Sequence, residues 1–262
     1  FTVSRPWRTG AMKRLGMLQL QEILFSQGFG TRRVCCGLVQ QGLVQLGDDR
    51  RPCLDPTEVL DEQGLVFWVQ GERWAYHRLA YLLLHKPAGT ECSQKPSTYP
   101  SIYTLLPAPL RTRGGGAAAG VQAVGRLDQD TTGLLLLSDD GKFIHRLTSP
   151  RHHVPKVYEA QVKHPLDGRQ IARLLEGVVL DDDPHPVRAQ AAEAVTERHL
   201  RLTLTEGKYH QVKRMVAAVG NRVEGLHRSS IGGLELDGSL PPGQWRWLTA
   251  DEVRSLVEKR GA

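Results

Sequence analysis

The chain contains little cysteine and no long apolar run. Its four cysteines (Cys35, Cys36, Cys53 and Cys92) form no Cys-x-x-Cys pair and have no spacing with histidine that suits zinc. The sequence therefore predicts no metal site and favours a reducing, cytoplasmic setting. No apolar stretch approaches the roughly 18 residues that span a membrane, and residues 1–10 lack the apolar core of a signal peptide. We expect no membrane association.

Positive charge is in modest excess and is unevenly distributed. In 262 residues, 34 Lys and Arg oppose 28 Asp and Glu, which gives a net charge of +6. Residues 1–51 hold eight basic and three acidic side chains, and residues 142–173 and 198–228 each hold seven basic and two acidic ones. Separate basic blocks are typical of proteins that bind a polyanion, so we expect a nucleic-acid partner. The 40% hydrophobic content is enough to bury the core of one or two domains.

Residues 15–75 have the pattern of a small α/β module, and we expect residues 1–14 to be a flexible extension. A short helix closes at Gln27-Gly28, and the Gly30-Thr31 turn supplies the N-cap of a second helix. Arg32 and Arg33 occupy the first turn of that second helix. Backbone N–H groups and two guanidinium groups together suit a phosphate, so these arginines are candidate RNA contacts.

Residues 76–262 mix strand and helix patterns and form the second predicted domain. Alternating or apolar runs predict strands, and 3.6-residue periodicity or capping signals predict helices. The predicted strands are 80–84, 134–137, 157–163 and 200–205, and the predicted helices are 142–147, 171–175, 210–219 and 249–259. Residues 111–120 are too rich in glycine to pack, and we expect them to form a mobile loop.

The segment Gly125–Leu134 combines turn residues with charge. Gly125 precedes Arg126 and Asp128, and a Thr-Thr-Gly turn then leads into a leucine strand. Loops held by a rigid scaffold often carry catalytic groups, and Arg126 would favour the ionised form of Asp128. From spacing alone, a solvated turn rich in Asp and Thr explains the pattern equally well.

The helix predicted over 210–219 brings a cation close to a buried face. Val212, Met215, Val216 and Val219 recur at helical spacing and define its apolar stripe. Lys213 lies beside this stripe, so its ammonium can reach inward, whereas Arg214 points further toward solvent.

The order of motifs resembles a known enzyme family. Residues 15–60 resemble an S4 RNA-binding domain. The segments Leu84–Gly89, Gly125–Leu137, Thr148–Glu159 and Glu206–Met215 resemble, in that order, the pseudouridine synthases of the RsuA type, which modify small-subunit ribosomal RNA. The resemblance implies an α+β fold: an S4-like module followed by a catalytic domain with a central mixed, largely antiparallel sheet flanked by helices.

The resemblance also implies roles for individual residues. Asp128 matches the family's nucleophile, which can hold an intermediate covalently on the sugar or on the base. Tyr158 matches the tyrosine that stacks on the flipped target base, and Lys213 takes the place of the basic residue that pairs with the nucleophile. Asp130 is then a turn residue without a catalytic role. Further RNA contacts are expected from Arg126, Lys156, Lys208 and Arg214, beside Arg32 and Arg33.

Two other functions fit parts of the sequence. Asp128-Gln129-Asp130-Thr131 matches the Asp-x-Asp-x-Thr pattern of magnesium-dependent phosphatases, but those enzymes place an apolar strand directly before the first Asp, and here Gly125-Arg126 interrupts it. A non-catalytic RNA-binding protein is the second alternative. We expect a cytoplasmic monomer that isomerises a uridine without a cofactor, with small-subunit ribosomal RNA, naked or as a partial ribonucleoprotein, as its partner.

Overall fold

The computed structural model describes residues 16–116 and 119–258, so the predicted extension over 1–14 lies outside the described residues. Contacts within the chain divide it into two compact units. The first unit contains the described residues up to Arg78 together with Ala108–Gly120. The second unit contains Leu79–Pro107 and the described residues from Val121 onward.

The first unit combines small sheets with short helices. Its elements are β1 (Met17–Gln19), α1 (Leu20–Gln27), α2 (Arg32–Gln40), β2 (Val44–Leu46), β3 (Arg51–Pro52), β4 (Val59–Asp61), β5 (Val66–Val69), β6 (Glu72–Ala75) and α3 (Ala108–Thr112). Four strands form an antiparallel sheet in the order β3-β2-β5-β6, and β1 pairs with β4. The apolar faces of α1 and α2 pack with this sheet around Phe67, which is fully buried.

The two helices of the first unit begin and end close to the predicted residues. α1 ends at Gln27, and the N–H of Gly28 returns to the carbonyls of Leu24 and Phe25. Thr31 caps α2, because its side chain accepts a hydrogen bond from the N–H of Val34. Arg32 and Arg33 directly follow the cap and are exposed in the first turn of α2. The assignment of this unit as an S4-like RNA-binding domain remains a prediction.

The segment following Pro107 differs from its prediction. Residues 111–120 were expected to be too glycine-rich to pack, yet α3 precedes the glycines and buries Leu110 completely. Arg113 is only 2% exposed and donates hydrogen bonds to Gln27 Oε1 at 3.2 Å and to the carbonyl of His77 at 2.6 Å. The expectation that the segment does not pack is wrong at Arg113, because Gln27 and His77 accept hydrogen bonds from its guanidinium. Gly114–Gly116 lie outside helices and strands, and the expected mobility of the segment stays a prediction.

The second unit is built on a nine-stranded sheet. Its elements are β7 (Tyr81–Lys86), β8 (Gln122–Ala123), β9 (Thr132–Ser138), α4 (Gly141–Thr148), β10 (Lys156–Val162), α5 (Gly168–Glu176), β11 (Val178–Leu180), β12 (Asp183–Val187), β13 (Ala191–Thr196), β14 (His199–Leu204), α6 (Gln211–Ala218), β15 (Val223–Ile231), β16 (Leu234–Glu235), β17 (Trp245–Trp247) and α7 (Ala250–Val257). The main path of the sheet runs β13-β14-β10-β15-β9-β7-β17, with β8 added to β9 and β16 to β15; β11 and β12 form a separate hairpin.

The sheet is mixed but largely antiparallel, as the resemblance implied. β9 and β15 run parallel, and the other strand pairs are antiparallel. The parallel pair depends on Gly133, whose φ is +114° and whose position faces Arg228 of β15. A Cβ at Gly133 would lie 2.2 Å from the carbonyl oxygen of Arg228, so only glycine allows this close approach.

Helices pack against the sheet at more than one place. Phe143 and Leu147 of α4 and Leu256 of α7 pack against the face that carries Leu134 and Leu136 of β9. Elsewhere, α6 contacts β15 and buries Met215 and Val216. None of the helices in the described residues combines the length and the apolar character that a membrane span requires.

Candidate active site

The loop from Gly125 to Thr131 connects β8 to β9 and carries Asp128. Gly125 has a φ of +74°, a turn conformation that side chains disfavour. The N–H of Thr131 donates to the carbonyl of Asp128 at 3.0 Å, and the N–H of Gly89 donates to the carbonyl of Gln129 at 2.8 Å. The loop that carries Asp128 is therefore held by one hydrogen bond within the loop and one from Gly89, which follows β7.

A fully buried lysine anchors the same loop. Lys86, the last residue of β7, is 0% exposed. Its Nζ donates hydrogen bonds to the carbonyls of Thr131 at 2.8 Å, Pro87 at 3.0 Å and Gln129 at 3.3 Å. Burial lowers the pKa of Lys86, opposed by the nearby acidic groups Cys92, Asp130 and Asp128. The side chain thus joins the end of a core strand to the loop that presents Asp128.

Replacing Lys86 with methionine should lower the free energy of unfolding by about 3 kcal/mol, because buried carbonyls lose a charged donor. Urea unfolding monitored by circular dichroism measures the change. The matched control is Lys95→Met, in an exposed lysine, which should shift stability by less than about 0.5 kcal/mol. Equal stability of the Lys86 and Lys95 variants would contradict the anchoring role.

Two basic side chains of the α6 region contact the carboxylate of Asp128. Lys213 Nζ lies 3.3 Å from Asp128 Oδ2, and His210 Nε2 lies 3.2 Å from Asp128 Oδ1. Lys213 is closer to Asp130, at 2.8 Å from Oδ1 and 3.1 Å from Oδ2. Asp130 lies in the predicted turn, but its carboxylate also accepts a hydrogen bond from Lys213, which contacts Asp128 as well. The sequence analysis did not anticipate that contact.

The shared lysine keeps this cluster charged. Burial disfavours ionisation of Asp130, but the hydrogen bond and charge of Lys213 outweigh it and lower the pKa of Asp130. Burial likewise opposes the charge of Lys213, and the two aspartates outweigh it and raise the pKa of Lys213. Lys213 therefore carries its charge between the side chains of Asp128 and Asp130.

These groups line a cavity of about 870 Å³ in the second unit. Among the residues predicted as functional, its lining includes Arg126, Asp128, Tyr158, Lys208 and Lys213. One wall includes Thr98 and Tyr99, whose backbone N–H groups bind Glu91 and, with that of Ser97, lower its pKa to about 2. The volume falls within the usual range for a small-molecule site and is large enough to take a nucleoside.

Tyr158 projects from β10 into the cavity lining and is 9% exposed. Arg228 of β15 is the cross-strand partner of Tyr158, and its guanidinium carbon lies 6.0 Å from the centre of the tyrosine ring. Nη2 of Arg228 is buried and has no hydrogen-bond partner in the described part of the chain. The tyrosine ring thus lies near the Arg228 cation and lines the same cavity as Asp128.

A sequence model of the RNA pseudouridylate synthase family matches residues 80–218, and this range contains Asp128, Tyr158 and Lys213. This chain belongs to the RNA pseudouridylate synthase family. Membership makes it an RNA-modifying isomerase and excludes the phosphatase alternative. The fold agrees, because the long apolar strand β9 follows the Asp128 loop instead of preceding it.

Relatives of the synthase cover most of its length. It is 38% identical over 221 residues to "Ribosomal small subunit pseudouridine synthase A" of Haemophilus influenzae, an alignment that covers 84% of this chain and 86% of the relative. It is 42% identical over 181 residues to the protein of the same name from Escherichia coli K12, covering 69% and 75% of the two chains. A solved structure described as "Crystal structure of pseudouridylate synthase" is 34% identical, has a TM-score of 0.63, and covers 92% of this chain and 100% of its own.

The remaining residues that were predicted to contact RNA have different surroundings in the structure. Arg126 is exposed at the cavity and forms no ion pair within the described residues, so it does not contact Asp128 as expected. Lys208 pairs with Asp183 at the cavity, and Arg214 pairs with Asp182. Lys156 donates to the carbonyl of Val154 at 3.1 Å, and burial beside Arg228 lowers its pKa to about 8. Arg32 and Arg33 lie in the first unit and do not line this cavity.

Sequence reasoning missed two contributors to the site. Lys86 was part of a recognised motif without a role, and His210 was only the start of a helix. A lysine in a strand otherwise buried, directly before Pro87, is a signal for a buried ammonium. His210 and Lys213 are three residues apart, so at the start of a helix they share a face with one another. Within residues 16–116 and 119–258, no group of three or more His, Cys, Asp or Glu side chains could hold a metal ion.

Proposed function

We propose that this synthase converts a specific uridine of small-subunit ribosomal RNA to pseudouridine, with Asp128 as the nucleophile. The observation that carries the proposal is the cavity in which Asp128, Tyr158 and Lys213 meet, although they are far apart in sequence. The names of the relatives from Haemophilus influenzae and Escherichia coli support small-subunit RNA as the substrate.

The reaction exchanges one glycosidic bond for another. The bond between N1 of uracil and C1′ of ribose breaks, the base turns, and a bond forms between C5 and C1′. The proton from C5 leaves, and N1 gains a proton, so no electrons are gained or lost and no redox cofactor is needed. The carboxylate of Asp128 would hold the intermediate covalently between the two steps and would be released unchanged.

Tyr158 would receive the target base. A uridine inside a structured RNA must leave its stack to reach Asp128, and an aromatic face offsets part of the lost stacking energy. The ring of Tyr158 is confined by β10 and Arg228, so it offers a preorganised surface. Lys213 would help to hold the side chain of Asp128 in place through their ion pair during the reaction.

The RNA backbone would follow the basic residues around the cavity and on the first unit. Arg126 and Lys208 lie at the cavity, and Arg126 has an exposed guanidinium ready for a phosphate. Lys156 and Arg214 would contact RNA only after leaving Val154 and Asp182, their present partners. Arg32 and Arg33 would bind phosphate at the N-terminus of α2 as part of an S4-like domain.

Replacing both Arg32 and Arg33 with alanine should weaken RNA binding and reduce its salt dependence. Losing two phosphate contacts should lower the slope of log K against log salt by about 1.5 to 2. Filter binding at several salt concentrations measures the slope. The paired control, Arg188→Ala with Arg254→Ala, removes two exposed arginines that lie outside the three basic blocks and should leave the slope unchanged. An unaltered slope in the Arg32/Arg33 variant would remove α2 from the RNA interface.

We further propose that the protein acts as a monomer in the cytoplasm, on naked RNA or a partial ribonucleoprotein. Ribosomal RNA as substrate supports the location, and a cavity formed within one unit of one chain supports the monomer. Light scattering during size exclusion tests the assembly state, and a stable dimer would contradict it.

Release of tritium tests the proposed activity in bulk. Small-subunit RNA labelled at uracil C5 should lose tritium to water when the wild-type protein is added, because C5 exchanges its hydrogen for the bond to ribose. RNA without added protein sets the background. No release above background from either naked RNA or partial ribonucleoprotein would reject the proposed function.

A further inference from the structure

His210 has an unusual backbone conformation directly beside the nucleophile. Its φ is +46° and its ψ is +36°, in the left-handed region that residues other than glycine rarely adopt. Such a conformation is strained and persists only where surrounding contacts impose it. His210 immediately precedes α6, so the strained residue sets where the helix begins relative to Asp128.

Several side chains impose this conformation. Gln211 is 4% exposed, its Oε1 accepts from the N–H of Lys208 at 2.8 Å, and its Nε2 donates to Glu206 Oε1 at 3.2 Å. Arg214 Nη1 donates to the carbonyl of Tyr209 at 3.1 Å. Hydrogen bonds of the Gln211 and Arg214 side chains therefore hold the turn over 206–211.

The two rings of this turn form a stacked unit at the cavity. The ring centres of Tyr209 and His210 are 3.8 Å apart, and their planes differ by 18°. One end of the unit touches the nucleophile, because His210 Nε2 lies 3.2 Å from Asp128 Oδ1. The other end is open, because Tyr209 is 74% exposed although it lines the cavity.

We propose that Tyr209 and His210 act as one two-ring unit: His210 positions the carboxylate of Asp128 through the contact of its Nε2 with Oδ1, and the exposed face of Tyr209 stacks on an RNA base next to the target uridine. This inference rests on the proposed function and adds two residues to it.

The positions of the neighbouring charges explain why Asp128 needs a second donor. Lys213 is closer to Asp130 than to Asp128, so the lysine alone does not fix the orientation of the nucleophile. The contact of His210 Nε2 with Oδ1 at 3.2 Å and that of Lys213 Nζ with Oδ2 at 3.3 Å together limit rotation of the carboxylate. Stacking on Tyr209 restrains the imidazole plane, so bound RNA and the orientation of Asp128 become coupled through the two rings.

The exposed ring also matches what a single-stranded RNA segment needs. An aromatic ring held in place by a neighbouring ring loses little conformational entropy on binding. Bases stack on such rings with little dependence on the RNA sequence. When the target uridine leaves its stack, the adjacent base loses a partner, and Tyr209 can replace it.

The test of His210 compares two substitutions in steady-state conversion of small-subunit RNA, which yields kcat and KM separately. Asparagine tolerates the left-handed backbone but its amide is too short to reach Asp128, so His210→Asn should lower kcat about 100-fold with KM within about twofold. Glutamine places an N–H at nearly the distance of imidazole Nε2, so His210→Gln should recover most of the loss. A purely structural role would alter thermal stability and would not give recovery by Gln.

The test of Tyr209 uses the same assay with RNA binding. Tyr209→Ala should raise KM and the Kd for RNA about tenfold, and Tyr209→Phe, which keeps the ring, should recover binding. Fluorescence of 2-aminopurine placed beside the target uridine should be quenched on binding to wild type and not on binding to Tyr209→Ala.

The outcomes separate this inference from the proposed function. If wild type forms no pseudouridine, the proposed function fails whatever the variants do. If wild type is active and His210→Asn keeps its kcat, or Tyr209→Ala keeps its KM, the two-ring unit is rejected while the proposed function stands.

Discussion

Replacing Asp128 with asparagine should reduce pseudouridine formation by at least about 10⁴-fold, because the amide cannot form the covalent intermediate. The substitution changes no side-chain volume of consequence, and the loop keeps its hydrogen bonds from Lys86 and Gly89. RNA binding should therefore stay within about threefold of wild type, since affinity comes mainly from phosphate contacts. Single-turnover conversion and filter binding, measured on the same RNA, separate the two effects.

Asp130 supplies the matched control for Asp128. It lies two residues away in the same loop and contacts the same lysine, at 2.8 Å. Asp130→Asn should keep activity within about tenfold of wild type, because removing the competing charge lets Lys213 approach Asp128. If Asp128→Asn were as active as Asp130→Asn, Asp128 would not be the nucleophile.

Replacing Lys213 with methionine should lower the single-turnover rate by about 10²- to 10³-fold, the usual effect of removing one charged donor from a catalytic site. Without the ammonium, Asp128 and Asp130 repel each other inside a partly enclosed cavity. Repulsion between the two carboxylates then displaces Asp128 from the position that its ion pair with Lys213 holds, so the nucleophile is less often in place. Quenched-flow measurement of the chemical step with saturating protein reports the change.

Arginine at position 213 is the control for charge. Lys213→Arg keeps the cation and adds a second donor, so its rate should remain within about tenfold of wild type. Equal rates for Lys213→Met and Lys213→Arg would show that the charge is not needed, and the ion pair would then have only a structural role.

Local patterns were enough to predict the elements that frame the site. The apolar spacing of Val212, Met215 and Val216 predicted α6 because a helix repeats every 3.6 residues, and all three are buried. The leucine run after Asp128 predicted β9, because an apolar run of that length between turns suits a strand buried on both faces. These patterns involve residues that are close together along the chain, so they can be detected in the sequence alone.

Contacts between distant segments were beyond these patterns. Arg113 packs because Gln27 and His77, at least 36 residues away, accept its hydrogen bonds. Lys86 is buried because carbonyls of Gln129 and Thr131 surround its ammonium, and a lysine is ordinarily an exposed residue. Their partners could not be identified before the fold placed them together.

The site likewise contains residues that the sequence predicted and one that it did not. The resemblance selected Asp128, Tyr158 and Lys213, and the structure brings all three to one cavity. It did not select His210, because the contact with Asp128 requires a left-handed residue at the start of α6. Left-handed conformations of residues other than glycine have little signature in sequence.

The most direct measurement is a map of pseudouridine in small-subunit RNA at nucleotide resolution. RNA lacking the modification, naked or as a partial ribonucleoprotein, is incubated with wild type or Asp128→Asn, treated with carbodiimide and read by primer extension. Our account predicts a single new stop with wild type and none with Asp128→Asn, and no new stop in large-subunit RNA treated in parallel. A stop of equal strength with both proteins, or no stop with wild type on either substrate, would contradict it.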